Sequence, residues 1–133
     1  MSVAVAIRAL ESDFNTRWAG TTPVSYTNTP FYSEGQAEWT RFLVNFTTIK
    51  QMDLGFNQQN QRQNGFIAVQ FFVPLKQGTN RTMELVDKVV GLLSGVTVSN
   101  IRVGTPNINI VGETPQWFVS DVTFDFDFDF TRV

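Results

Sequence analysis

Apolar positions along this chain fall into two rhythms, one repeating every three or four residues and one every two. From Val3 to Trp18, the residues Val3, Ile7, Leu10, Phe14 and Trp18 recur at helical spacing. That spacing predicts a helix with one apolar stripe. Arg8, Glu11, Ser12 and Asn15 fall elsewhere on the wheel, and Ala19-Gly20 with Pro23 beyond predicts the stop. A second helix is expected in TNRTMELVDKVVGLLSG, with Met83, Val86, Val90 and Leu93 in its stripe and Val89 beside it. Thr79 or Asn80 is its candidate cap and Gly95 its terminator. Gly91 inside it weakens a helix, which suggests close packing against a sheet.

The period-two stretches read as strands. In EWTRFLVNFTT, residues 38–48, Phe42, Val44 and Phe46 share one side and Arg41, Asn45 and Thr47 the other, with Leu43 interrupting. FIAVQFFVPL, residues 66–75, is a second strand that Pro74 ends or confines to an edge. Three more follow the second helix. Residues 96–103 form one, broken near Asn100, and residues 107–111 form another between Pro106 and Gly112. Residues 116–132 form the last, far longer than the usual five or six. Trp117 and Val119 lie on one side of it, and Val122, Phe124, Phe126, Phe128 and Phe130 on the other. A bulge or twist near Ser120 would let both sets bury.

Two connections stand out. PVSYTNTPFYSEG carries two prolines, so it is expected as an extended, irregular segment laid along the body and anchored by Tyr26 and Phe31. KQMDLGFNQQNQRQNG, residues 50–65, is too long for an ordinary hairpin loop. Either it is disordered or the flanking strands run on into a projecting arm. Long polar loops are where partners bind, so Gln51, Asn57, Gln58, Gln59, Asn60, Arg62 and Asn64 are candidate contact residues. Arg62 reads either as a solvated surface charge or as one half of a pair across a subunit boundary.

The order of elements predicts one α+β domain over residues 1–133, with a protruding polar arm near 50–65. Its mixed or antiparallel sheet has two helices packed on one face. The expected core is Ile7, Leu10, Phe14, Phe42, Val44, Phe46, Phe71, Val86, Val90, Leu93, Phe124, Phe126 and Phe128. Trp18, Trp39 and Trp117 are expected in packing and not in ligand contact.

Composition narrows the chemistry. There is no Cys and no His. Thiol chemistry, disulfides, the commonest general base and the commonest zinc ligand are therefore missing. The net charge is −2, with no basic cluster, which disfavours tight binding to nucleic acid by a monomer. MSVAVAIRALESDF lacks the pattern of a secretory leader, and no apolar run reaches membrane-spanning length. A chain made in the cytoplasm, with no membrane partner and no cofactor, is expected.

The C-terminal run DVTFDFDFDF places Asp125, Asp127 and Asp129 on one side of a strand, about 7 Å apart along it. The plain reading is a half-buried strand with Phe inside and Asp in water. Carboxylates along a straight strand diverge too far to wrap one small cation. No nucleophile elbow or phosphate-cradling glycine loop occurs, and GTNRT is a turn and a cap. A row of acids does suit a wall past which DNA must slide without sticking. Such a wall requires an oligomer with a hole.

Several stretches resemble the tail terminator proteins of long-tailed bacteriophages, also called minor tail or tail completion proteins. They are PVSYTNTPFY, then WTRFLVNF, then RQNGFIAVQFFVPLKQGT, then MELVDKVVGLL. Pro23, Val24, Tyr26, Asn28, Pro30 and Phe31 match the first motif, and Gly65, Val69, Phe71, Pro74 and Gly78 the later one. The resemblance covers about residues 3 to 94, and the DFDFDF run lies outside it. It implies a small subunit of a hexameric ring that caps the tail tube and halts its growth. The ring then presents the surface that joins the head–tail connector, while double-stranded DNA passes through the hole. On this reading Asp125, Asp127 and Asp129 face the lumen, a placement that rests on the charge argument and not on a family motif. The tail tube protein, the connector and further copies of the chain are the implied partners, in the virion at the head-proximal end of the tail. The competing readings are a tail-tube or head–tail joining subunit, a single-stranded nucleic-acid module that stacks bases on Phe, and an enzyme of unidentified class.

Overall fold

The structure is a computed structural model. It describes residues 2–52, 59–76 and 78–132, without the side chains of Gln59, Thr131 and Arg132. Among the described residues, two helices and six strands follow in the order α1 (Val3–Trp18), β1 (Val24–Tyr26), β2 (Trp39–Gln51), β3 (Gln59–Pro74), α2 (Asn80–Leu93), β4 (Thr97–Val98), β5 (Ile101–Glu113) and β6 (Trp117–Arg132). All six strands join one sheet in the order β1-β2-β3-β6-β5-β4. Only β1 and β2 pair in parallel; the remaining pairs are antiparallel. The molecule therefore has an α+β fold with a mixed, mostly antiparallel sheet.

The period-two pattern builds the sheet around the β3–β6 pair. This ladder runs without a register break from Gln59 opposite Arg132 to Pro74 opposite Trp117. Phe124, Phe126 and Phe128 on β6, with Ile67, Val69 and Phe71 on β3, are buried on one face. Both helices cover that face. Phe14 of α1 stacks on Phe42 at 4.5 Å and Trp18 lies 5.8 Å from Phe71. From α2, Thr82 hydrogen-bonds Ser120. Fully burying one such apolar side chain stabilises the fold by about 1.5–3 kcal/mol.

The helix stripes differ in detail from their expected composition. In α1 the buried residues are Ala6, Leu10, Phe14 and Trp18. Every step in that row is four residues, so it slants around the helix and passes Ala6 instead of Ile7. Ile7 is half-buried and Val3 is exposed. In α2 the buried row is Thr82, Leu85, Val86, Val89 and Leu93. Met83 and Val90 pack at its flanks, as do Val44 and Phe46 of β2 at the margin of the core. Gly91 faces solvent, and a Cβ there would meet nothing within 4 Å, so close packing does not explain it.

The caps follow the same pattern of partial agreement. Ser2 caps α1 by accepting from the Val5 amide at 3.2 Å. Thr79 stands at the N-cap of α2 without a side-chain cap bond, and Asn80 donates to Glu84 instead. α1 stops where Ala19 and Gly20 take left-handed backbone, and Gly95 does the same after α2.

Three strand expectations change. β2 extends to Gln51 and β3 starts at Gln59, so the described part of the polar connection is largely strand. The stretches 96–103 and 107–111 regroup: β4 turns tightly into β5, and β5 continues through Pro106 to Glu113. Register shifts between Val103 and Pro106 and between Ile110 and Gly112 lie in β5. They absorb the missing proline donor and bend the strand. β6 needs no bulge at Ser120, because near Trp117 the sheet is covered on its second face too. There Trp39 stacks on Phe72 at 3.9 Å, Trp117 meets Trp39 edge-on, and Phe31 packs on Trp39 at 5.0 Å. The Arg41 guanidinium lies beside that stack, 5.4 Å from the Trp39 centroid and 5.3 Å from that of Phe72.

The proline-bearing segment is anchored as its residues suggest. Its start, Val24–Tyr26, adds a short edge strand. Tyr26 meets Phe42 edge-on, and Arg81 of α2 forks onto Glu38 near the segment's end.

Candidate assembly surface on the outer sheet face

Alternation along β6 sends Asp125, Asp127 and Asp129 to the face opposite the helices. They do not stand alone there. Arg62 lies directly opposite Asp129 across the β3–β6 ladder, and Arg102 lies opposite Asp127 across β5–β6. Arg62 donates to Asp129 through Nε at 2.8 Å and through Nη2 at 3.3 Å. Arg102 donates to Asp127 from Nε at 2.6 Å, and its Nη2 reaches Asp129 at 3.3 Å. The outcome is an interleaved patch of acid and base, with one negative charge in excess over these five side chains. No ion pair of Asp125 occurs among the described residues.

The titration behaviour follows from these contacts. The Arg62 hydrogen bond holds the Asp129 carboxyl below the usual carboxylate range, with the charge of Arg102 adding to it. The same bond raises Arg62. Asp121, further along the row, is pushed up by burial. These are exposed or half-exposed pairs, so each adds little to stability while fixing which side chains lie together.

Beside the patch, a shallow groove of about 460 Å³ opens over the sheet. Thr47, Asn64, Phe66, Arg102, Gly104 and Asp125 line it. Gly65 is also among its lining residues. At Gly104, within the first β5 bulge, a Cβ would sit 3.2 Å from the Asp125 carbonyl.

The candidate contact residues of the polar connection scatter over this end of the sheet. Gln51 ends β2, and Gln59, Asn60, Arg62 and Asn64 belong to β3. Arg62 is paired with Asp129 within the chain. Asn64 donates to Thr48 at 3.5 Å. Asn57 and Gln58 lie outside the described residues. Sequence inspection missed Arg102, whose role became visible only once β5 and β6 were in register.

Other chemistry is sparse. No group of three His, Cys, Asp or Glu side chains that could hold a metal occurs among the described residues. Among them, no helix is long and apolar enough to cross a membrane. Phe124, Phe126 and Phe128 are buried under the helices, so these rings are not available to stack bases.

No family model matches the sequence, and no curated protein matches it. Twenty-five chains of solved structure match the fold. One, whose description states no function, has a TM-score of 0.67 at 16% identity, over 92% of this chain and 95% of that chain. That likeness shows the fold alone.

Proposed function

We propose that this chain is a structural subunit that assembles into a closed ring, in the manner of a phage tail terminator. The ring caps a tail tube, stops its growth and offers its other face to the head–tail connector, with duplex DNA passing through the opening. The observation that carries the reading is the mismatch between sheet and helices. β3 and β6 are 16 residues each, about 50 Å of strand. The helices have 16 and 14 residues, about 24 and 21 Å. A chain of this size gains nothing alone from strands that outrun their cover. In a ring the excess sheet becomes wall and contact surface. The motif resemblance over residues 3–94 supports the same reading, and no catalytic constellation competes with it among the described residues.

The outer patch fits the inner wall of such a ring, in a milder form than an uninterrupted acid row. Arg62 and Arg102 hold the charge of each subunit's patch close to neutral, with a small acid excess. A duplex then meets a polar surface that neither grips it nor repels it strongly. Electron microscopy of the purified protein tests the proposal. Isolated rings with a central hole are expected. Long stacked tubes would move the chain to the tube subunits, and particles without an opening would end the reading.

A further inference from the structure

Among the described residues, both edges of the sheet lack a strand partner over long stretches. β1 covers β2 only from Thr40 to Phe42, and β4 covers β5 only at Ile101 and Arg102. Past these, the Gly95 amide donates to the Gly104 carbonyl, and no described strand continues on that side of β5. Among the described residues, 43–50 of β2 and 105–113 of β5 are thus open edges of similar length.

Their composition is unusual for open edges. Natural edges are blunted by charge, proline or bulges. Here Lys50, Pro106 with its bulge, and the register shifts between Phe46 and Ile49 and between Ile110 and Gly112 bracket short regular stretches, 43–46 and 107–110. The middles, LVNFTTI from Leu43 and NINIV from Asn107, carry no charge and are rich in β-branched residues. Ile108 and Ile110 are each 50% exposed, Ile49 and Val111 each 55%.

We infer that the two edges pair with each other between copies, so that the sheet runs on from subunit to subunit around the ring. The inference rests on the ring reading and specifies its contact. Three arguments favour a second copy as the occupant. First, β2, β3, β6 and β5 alternate in direction, so β2 and β5 run antiparallel. A neighbour in the same orientation therefore offers its β2 antiparallel to β5. Second, the two edges lie at opposite sides of one sheet, as a head-to-tail contact that closes a ring requires. Third, the faces match. Ile108 shares a row with Val122, Val69 and Phe42 on the helix face, while Asn107 and Asn109 point to the other. Setting Ile110 opposite the neighbour's Val44 puts Ile108 opposite Phe46 and Asn109 opposite Asn45. Apolar then meets apolar, and amide meets amide.

The chain has no cysteine, so cross-linking reads the contact directly. Within one copy, positions 45 and 109 are separated by three strand spacings, about 14 Å, beyond the reach of a disulfide. In the double variant Asn45→Cys/Asn109→Cys, mild oxidation should give a ladder of covalent oligomers that neither single variant gives. Ile110→Lys, at a half-exposed site, should keep the circular dichroism of the fold and lose the assembly. Disruption by Ile110→Lys without the ladder keeps the edge contact and rejects the register. Rings that form with no ladder and ignore Ile110→Lys overturn the edge pairing and leave the ring standing. A ladder with open filaments keeps the edge pairing and ends the ring. A chain monomeric at every concentration overturns both.

Discussion

Phe126 lays its ring across Gly65. The two are direct partners in the β3–β6 ladder, and a Cβ built on the glycine would sit 2.6 Å from the ring's Cζ and 2.3 Å from the Asn45 carbonyl oxygen. The ring then meets Phe46 edge-on at 5.8 Å, joining β6 to β2 over the gap. A strand glycine is ordinarily weak, and an aromatic placed over it restores the lost contact. Gly65→Ala is expected to destabilise by about 1–3 kcal/mol, the usual cost of overpacking. The clash with a backbone oxygen leaves little room for relaxation. A urea midpoint equal to that of the parent protein would show that the strands separate there at little cost.

The buried hydroxyl pair Thr82–Ser120 ties α2 to the centre of the sheet. Ser120→Ala leaves the Thr82 hydroxyl buried without its partner, at an expected cost of about 1–3 kcal/mol. Adding Thr82→Val should recover part of that loss. Chemical denaturation of both variants measures it.

Asp129 and Asp121 titrate with opposite signs. Asp129 is depressed by Arg62, so its contribution is present above the ordinary carboxylate value of 3.8 and is lost as pH falls through the lowered folded value. The parent's small advantage over Arg62→Gln should shrink as pH falls from about 3.8 and be gone below that lowered value.

For Asp121 the folded carboxyl is raised by burial, so ionisation works against folding. The penalty is absent below 3.8 and complete once pH exceeds the raised value. Asp121→Asn is therefore expected to be the more stable protein near neutrality, with a margin that closes on acidification. Thermal unfolding at a series of pH values checks both carboxyls, and a margin independent of pH would remove Asp121 as its source.

The outer patch makes a prediction about DNA. Converting Asp125, Asp127 and Asp129 together to Asn leaves Arg62 and Arg102 without acids. If the patch lines a lumen, the assembled variant should retain duplex DNA at low salt where the parent lets it pass, with retention falling as salt rises. Gel mobility of duplex with purified particles reads this. Unchanged mobility would place the patch away from the DNA path.

Local pattern carried a large part of the fold. The strict Phe–Asp alternation located β6 and its buried face, and the helical spacing located both helices to within a residue or two. What the pattern could not carry is pairing. Arg62 reads as a solvated charge until β3 is set beside β6, and Arg102 reads as nothing in particular until β5 is. Ile7 was expected in the α1 stripe from its spacing to Val3 and Leu10, yet Ala6 lies on the slanting line that reaches Trp18. Pro106 suggested a break, and the bulges that rescue it depend on a neighbouring strand. The candidate site, a product of cross-strand register, was legible as an acid row and not as an ion-pair lattice.

The unbroken β3–β6 ladder has one more consequence. Its partners belong to distant parts of the chain, with α2, β4 and β5 lying between them. The middle of the sheet therefore zips only after the last segment arrives, and loop closure of that kind is slow. Until then every long strand is an edge. A newly made copy has to finish its own centre before its flanks meet a neighbour, so crowding many copies together early favours tangles over circles.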